Sequence, residues 1–136
     1  MKFKVRKLTE KDWDTLVSWW KAWPKWNAPA KDFLPDNGTS GLIIEKNNIP
    51  IVAGFLYFTN SDAVLLEWII SNPDYKKKDK RSAIEMLIQS AEIFCQNNKK
   101  KYMFSIGRNK SLLNIHKQLN WLVDKDPSYE MIKKIS

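Results

Sequence analysis

With 136 residues, 43% of them hydrophobic, the chain can bury a sizeable core, which excludes an intrinsically disordered protein. Its formal net charge of +8 favours anionic partners such as nucleotides, nucleic acid or acidic proteins. A single cysteine excludes an internal disulfide framework. With one histidine and no His/Cys cluster, we expect no metal site. Cys95 falls in an apolar helical pattern and is predicted to be a buried structural thiol.

Two stretches bear on targeting. The N-terminal sequence MKFKVRKLTEKDW is charged and lacks the apolar core of a signal peptide. The longest uninterrupted apolar stretch, IPIVAGFLYF, is shorter than the ~20 residues that a membrane-spanning helix needs. We therefore expect a single domain over residues 1–136, in the cytoplasm and without a membrane partner.

The first predicted elements are a strand and a helix. Alternation over Lys2 to Leu8 predicts an edge strand, and Thr9 with Asp12 forms a capping-box-like signal for a helix ending near Ala22. Residues 23–40 look irregular. This region and the helix before it hold four tryptophans, which cannot share one helix face and therefore line a groove or cover another element: Trp19, Trp20, Trp23 and Trp26.

The remaining elements are mostly strands. Three apolar runs, GLIIEK, IPIVAGFLYF and AVLLEWIIS, predict an antiparallel meander, with a tight turn at Asn47-Asn48. An apolar repeat predicts a helix over Lys80–Asn97, followed by a short strand in KKKYMFSI and a short helix from Asn109. Two further strands are expected around Trp121–Lys125 and Tyr129–Ile135. The predicted fold class is α/β (α+β), with a mixed, largely antiparallel sheet of six to seven strands flanked by helices.

A strand, a basic loop and a helix follow one another in the sequence SNPDYKKKDKRSAIEML. In this loop Lys76, Asp79 and Arg81 occupy the spacing of an Arg/Gln-x-x-Gly-x-Gly/Ala motif. Together with the order of the elements, this stretch resembles the GNAT N-acetyltransferase superfamily, in which the loop binds the pyrophosphate of acetyl-coenzyme A. The resemblance implies a GNAT fold and an N-acetyltransferase that uses acetyl-CoA.

A second stretch, NKSLLNIHKQLNW, keeps the spacing at which GNAT proteins often carry Asn, a Tyr seven residues on, and then Gly-Phe. Those places hold Asn109, His116, Asn120 and Trp121 here. The resemblance implies that His116 replaces the tyrosine acid and that Asn109 binds the cofactor. Capping of its own helix explains Asn109 equally well.

Cofactor binding at the loop also has a physical basis. A loop entering a helix offers unpaired N–H groups and the positive end of the helix dipole to a phosphate. The strand before it would lie beside the pantetheine arm, as the resemblance implies. A solvated charge run remains the alternative for the lysines. The predicted cofactor-binding residues are Ile69, Ile70, Ser71, Lys76, Lys77, Lys78, Asp79, Lys80, Arg81, Ser82 and Asn109.

Acetyl transfer to an amine needs a base and a proton donor. Glu67 lies between apolar residues of AVLLEWIIS and is predicted to be the base, the alternative being a solvated or lysine-paired carboxylate. Alternation places Leu65, Glu67 and Ile69 on one face and Trp68 on the other. His116 is predicted to donate the proton.

The acceptor is a primary amine of a small molecule or a protein, and Trp20, Trp23 and Trp26 are predicted to shape its pocket by cation–π contact or stacking. A minicore of tryptophans is the alternative. Two other functions stay open: a basic nucleic-acid-binding module, which the lack of an RRM-type, OB-type or helix-turn-helix signature disfavours, and a GNAT-fold protein that binds without catalysis. A homodimer is also left open.

Overall fold

The computed structural model describes residues 2–23 and 27–136, and among them it contains five strands and three α-helices. The chain divides into two compact units, one ending at Ile106 and the other comprising Gly107–Ser136. The strands are β1 (Lys4–Lys7), β2 (Gly41–Lys46), β3 (Ile49–Phe58), β4 (Ala63–Ser71) and β5 (Tyr102–Phe104), and the helices are α1 (Trp13–Ala22), α2 (Lys80–Asn97) and α3 (Lys110–Gln118). Short 3-10 turns lie at Glu10–Asp12, Lys31–Phe33 and Pro35–Gly38.

The sheet of the first unit runs in the order β1-β2-β3-β4-β5. Its first four strands are antiparallel, and β5 pairs parallel to β4. Asn47 and Asn48 form the β2–β3 turn with φ of 54° and 63°, as the sequence predicted, because asparagine tolerates the left-handed region. The predicted mixed, largely antiparallel sheet with flanking helices is confirmed.

The two faces of the sheet pack against different helices. On one face Trp20 of α1 stacks on Phe55 of β3, with ring centroids 6.2 Å apart. On the other face α2 approaches β3 closely, since a side chain at Gly54 would lie 3.1 Å from Leu66 and 3.3 Å from Leu87. The fully buried core includes Leu16, Trp20, Ile43, Ile44, Ile51, Phe55, Leu56, Leu66, Ile70, Leu87 and Ile88.

Strand β4 contains one extra residue relative to β3. Ala53 is opposite Ile70 and Phe55 is opposite Glu67, so two steps along β3 correspond to three along β4. The shift in register occurs at Trp68, whose φ of 56° is a left-handed conformation that is unusual for a bulky residue. This geometry is a β-bulge, which bends the strand and increases its twist.

The bulge corrects the predicted faces of β4. Alternation had placed Glu67 and Ile69 on one face and Trp68 on the other. Ile69 lies beside Gly54 on the α2 face, whereas Glu67 is opposite Phe55, which packs against α1. Trp68 also packs into the core under α1, its ring centroid 6.4 Å from that of Trp20. The prediction was wrong because a period of two holds only while every residue of a strand is paired.

The two strands predicted in the C-terminal tail do not form. All residues of Gly107–Ser136 are described, and α3 is the only helix or strand among them. The apolar side chains Leu122, Tyr129, Met131 and Ile135 are exposed. Alternation produces a strand only where a neighbouring strand takes its backbone hydrogen bonds, and this unit offers none.

Candidate functional site

Strands β4 and β5 form a fork. They pair only from Ala63 to Leu65, opposite Tyr102–Phe104. Beyond Leu65, β4 continues to Ser71 while remaining paired to β3 on its other side. The stretch from Leu66 to Ser71 thus leaves the edge that faces away from β3 without a strand partner in the described chain. An extended ligand can add to such an edge through main-chain hydrogen bonds.

Glu67 lies where the fork opens. Its Oε1 accepts a hydrogen bond from the backbone N–H of Ile106 at 2.8 Å, just after β5 ends. The side chain is half-buried. This backbone partner was not among the alternatives that the sequence suggested, and it fixes a carboxylate at the position where the two strands separate.

Asn72 organises the turn that follows β4, a role that sequence reasoning missed. Its amide N–H donates to the Ile51 carbonyl at 2.7 Å, and its Nδ2 donates to the Pro50 carbonyl at 2.9 Å. Its Oδ1 accepts from the N–H of Asp74 at 2.9 Å, the hydrogen bond of an Asx turn. Asn-Pro after an apolar strand was the available signal. The turn fixes the direction in which the chain leaves the sheet.

The lysines of the loop fall into two groups. Lys76, Lys77 and Lys78 are exposed and form no ion pair with any residue that the structure describes. Lys80 is half-buried, donates to the Asn72 carbonyl at 3.2 Å and lies 5.7 Å from the centroid of the Trp23 ring. Burial, followed by the charge of Lys76, lowers the pKa of Lys80. Three lysines are therefore available to an anion, whereas Lys80 holds the loop.

Asp79 stands directly before α2 and does not use the conformational freedom of glycine. Its φ is −85°, and no residue from 72 to 82 has a positive φ. Its carboxylate accepts hydrogen bonds from Lys46 Nζ at 2.6 Å and from Tyr75 Oη at 2.7 Å, and it makes no capping bond to the helix. The Lys46 bond, then the Tyr75 bond, lowers the pKa of Asp79. Sequence reasoning missed both partners.

The first turn of α2 follows. Ala83 is the first residue whose amide donates to a carbonyl four positions back, that of Asp79 at 3.1 Å. The amides of Arg81 and Ser82 therefore precede the helical ladder, as the first amides of any helix do. The Arg81 side chain runs along the helix, with Nε 3.5 Å from Glu85 Oε1. Several backbone donors and the positive end of the helix dipole are thus brought together.

The second unit holds the other two predicted site residues, Asn109 directly before α3 and His116 within it. Asn109 is the N-cap of this helix, and its Oδ1 accepts from the amides of Ser111 at 2.8 Å and Leu112 at 3.4 Å. The structure thus shows the capping alternative. At the other end, Asn120 has φ of 69° and the Trp121 amide donates to the His116 carbonyl at 3.0 Å. This is a Schellman-type end, which glycine or asparagine favours.

His116 is buried, and its ring contacts are specific. Nδ1 lies 2.9 Å from the Leu112 carbonyl oxygen, and Nε2 has no hydrogen-bond partner within the described chain. Because a carbonyl only accepts, Nδ1 carries the hydrogen and Nε2 of the neutral ring is an acceptor. The Trp121 ring meets the imidazole edge-on at 4.7 Å. Nε2 can donate a proton only from the doubly protonated ring.

The tryptophans predicted to form an acceptor pocket separate. Trp20 is fully buried and packs against the rings of Trp13, Phe55 and Trp68, so its ring is not presented to a ligand. Trp23 is half-buried, and its Nε1–H donates to the Ser71 carbonyl at 3.3 Å. Trp26 lies outside the described residues. Trp20 therefore fits the minicore alternative, while Trp23 lies at the end of β4.

Three further observations concern metal binding, membrane-spanning helices and the cysteine. Over the part of the chain that the structure describes, no group of three or more His, Cys, Asp or Glu side chains is arranged to hold a metal ion, and no helix is long and apolar enough to cross a membrane. Cys95 is buried, and its burial raises the pKa of the thiol to about 11. It is therefore an unreactive core thiol at neutral pH.

Neither a protein-family model nor a curated protein sequence matches the chain. Solved structures do. An aminoglycoside acetyltransferase from an uncultured soil metagenomic sample matches with a TM-score of 0.69 at 10% identity, over 98% of this chain and 97% of that one. A ribosomal-protein-alanine N-acetyltransferase from Brucella melitensis gives 0.67 at 13% over 100% of both chains. AAC(6')-Iy, in complex with a CoA-based bisubstrate analogue, gives 0.66 at 15% over 99% and 100%. The chain has the GNAT fold.

The GNAT fold accounts for the agreement between the predicted and observed elements around the site. Strand β4 ends at Ser71, α2 begins at Lys80 and α3 begins after Asn109, as the two resembling stretches implied. At identities of 10–15% the similarity to these structures shows the fold alone. A shared fold does not determine function, which depends on the residues at the site.

Proposed function

We propose that the chain is an acetyl-CoA-dependent N-acetyltransferase that acts on a primary amine. The observation that carries this proposal is the fork between β4 and β5, whose open edge leads through a basic loop into the first turn of α2. An open strand edge suits the amides of a pantetheine arm, and helix-start amides beside exposed lysines suit a pyrophosphate.

The residues at the start of α2 fit a phosphate group although two glycines of the family pattern are replaced. The backbone here needs no positive φ, so Asp79 and Arg81 take their places without strain. The Asp79 carboxylate is bound by Lys46 and Tyr75 rather than by the helix amides. Lys76, Lys77 and Lys78 add positive charge beside these amides.

When bound, acetyl-CoA would supply a thioester as the acyl donor, whose acetyl group would pass to the amine nitrogen with the CoA thiol as the leaving group. In the proposed mechanism Glu67 accepts the amine proton at a carboxylate oxygen. The bond from Ile106 supports this role because it fixes the carboxylate at the fork. His116 is proposed to supply a proton from Nε2 of its doubly protonated ring. Trp23 is proposed to contact the amine acceptor.

Direct binding is the first test. We expect acetyl-CoA and CoA to raise the melting temperature saturably and to give a measurable Kd by calorimetry. Replacing Lys76, Lys77 and Lys78 with methionine should raise the Kd of both ligands, and the increase should depend on salt. Replacing Lys99, Lys100 and Lys101 in the same way controls for the loss of three charges. No thermal shift at millimolar acetyl-CoA contradicts the proposal.

Turnover is the second test. The similar structures include enzymes whose names specify an aminoglycoside and a ribosomal-protein alanine, so the amine panel should contain aminoglycosides, polyamines, amino acids and peptides with free N-termini or lysines. Release of the CoA thiol can be followed with a thiol reagent, since buried Cys95 gives little background. Binding without turnover of any amine supports a non-catalytic binding protein instead.

A further inference from the structure

Asp79 is the N-cap of α2, yet its carboxylate does not cap the helix. An aspartate at this position ordinarily accepts a hydrogen bond from the second or third amide of the helix, here those of Arg81 or Ser82. Both carboxylate oxygens are bound elsewhere: Oδ2 accepts from Lys46 Nζ at 2.6 Å and Oδ1 from Tyr75 Oη at 2.7 Å. The Asp79 carboxylate therefore caps neither of these amides.

The two partners are themselves held in place. Lys46 is the last residue of β2, and its Nζ also lies 5.5 Å from the centroid of the Phe3 ring. Tyr75 is buried, with 6% of its surface exposed, and its amide donates to the Asn72 carbonyl at 3.2 Å. The carboxylate is therefore held from two sides by groups anchored in the sheet and the turn.

An unrestrained Asp79 carboxylate would interfere with an anion in two ways. It would occupy first-turn amides by capping, and it would place a negative charge next to a phosphate. Lys46 neutralises that charge, and Lys46 with Tyr75 directs it away from the helix start. A glycine in this position would present neither problem.

We infer that Lys46 and Tyr75 are positioning residues that hold the Asp79 carboxylate away from the start of α2, so that it does not cap the Ser82 amide and this amide can bind the pyrophosphate of coenzyme A. The inference rests on the proposed function. It explains how a loop without glycines retains an anion site: two side chains from outside the motif offset the aspartate.

The test is a double-mutant cycle on CoA binding. We expect Lys46→Met to weaken CoA about tenfold and Tyr75→Phe by about threefold, the sizes expected for losing a charged and a neutral hydrogen bond. Asp79→Gly should bind CoA at least as well as the natural chain. The Lys46→Met/Asp79→Gly double variant should bind within about threefold of Asp79→Gly, because the lysine then has no carboxylate to restrain.

Two controls locate the effect. Lys31→Met removes a lysine with a similar environment, an ion pair to Glu10 at 2.7 Å and a ring contact to Trp13 at 5.7 Å, and should leave the Kd unchanged. S-acetylpantetheine lacks the pyrophosphate, so its affinity should not respond to Lys46→Met. The inference is wrong if Lys46→Met weakens CoA binding by the same factor in the Asp79→Gly background as in the natural chain. It is also wrong if Lys46→Met weakens the binding of CoA and of S-acetylpantetheine equally.

A measurement without ligand separates this inference from the proposed function. Amide hydrogen exchange of Ser82 should slow in Lys46→Met, because the released Asp79 then caps the helix, and should return to the original rate in the double variant. Unchanged Ser82 exchange overturns the inference. Failure of the natural chain to bind CoA overturns the proposed function, while the exchange experiment still decides what Lys46 does.

Discussion

Glu67 accepts the backbone N–H of Ile106 at 2.8 Å, across the gap where β4 and β5 have stopped pairing. A side chain here takes a hydrogen bond that a neighbouring strand would otherwise take. The same carboxylate is the proposed base. Its structural and catalytic roles can be separated because an amide oxygen preserves the first but not the second.

We expect Glu67→Gln to keep the melting temperature close to that of the natural chain, since the glutamine oxygen can still accept from Ile106. The turnover rate should fall by about 10²- to 10⁴-fold, the usual contribution of a general base. Glu67→Ala should also lose about 1 kcal/mol of unfolding free energy, measured by chemical denaturation. A Gln variant with the full turnover rate would show that Glu67 only holds the fork.

The hydrogen-bond geometry of His116 gives a prediction on turnover. Nδ1–H donates to the Leu112 carbonyl, which leaves Nε2 as the nitrogen that can act on a ligand. If His116 supplies a proton, His116→Phe should be about 10²-fold slower in turnover while its Kd for acetyl-CoA stays close to that of the natural chain. A His116→Phe variant with the full turnover rate would show that another group supplies the proton.

Trp20 and Trp23 should respond differently to truncation. Trp20→Ala is expected to cost about 3–5 kcal/mol of unfolding free energy, because the ring is fully buried against Phe55 and Trp68. Trp23→Ala removes a half-buried ring and one hydrogen bond to Ser71, so we expect about 1 kcal/mol together with a raised KM for the amine. An unchanged KM in Trp23→Ala argues against its contact with the acceptor.

The Arg6–Asp12 pair makes stability depend on pH. Arg6 donates to both Asp12 oxygens, at 2.9 and 2.8 Å, and the Thr9 amide donates to Oδ2 at 2.8 Å. The Arg6 bond, more than the Thr9 bond, lowers the pKa of Asp12. A lowered folded-state pKa gives stability that is present above the unfolded value of about 3.9 and is lost as pH falls through the folded value.

Asp12→Asn should therefore lower the unfolding free energy at pH 7 by about 1–2 kcal/mol and flatten its decline below about pH 5, measured by denaturation at several pH values. Asp14→Asn is the matched control, since Asp14 is an exposed carboxylate of α1 with no ion pair to a described residue. An equal pH slope in Asp12→Asn and the natural chain would contradict the assignment.

Local sequence signals located most of the elements around the candidate site. The Asn47-Asn48 turn and the apolar runs beside it predicted β2, β3 and β4 with their observed bounds, because both signals act over a few residues. The apolar repeat from Lys80 to Asn97 likewise predicted α2. Alternation in the tail predicted two strands that do not form, since a strand also depends on a partner elsewhere.

By itself, the sequence determined the bounds of β2, β3, β4 and α2, and through two spaced motifs it indicated the GNAT fold. Only the tertiary structure decided the strand register and the hydrogen-bond partners of the carboxylates at the candidate site. The bulge at Trp68 depends on register with β3, and Glu67 and Asp79 are bound by groups 39 and 33 residues away, Ile106 and Lys46. Turns and helices follow from near neighbours, whereas the partner of a carboxylate is set by distant segments that packing brings within hydrogen-bonding distance.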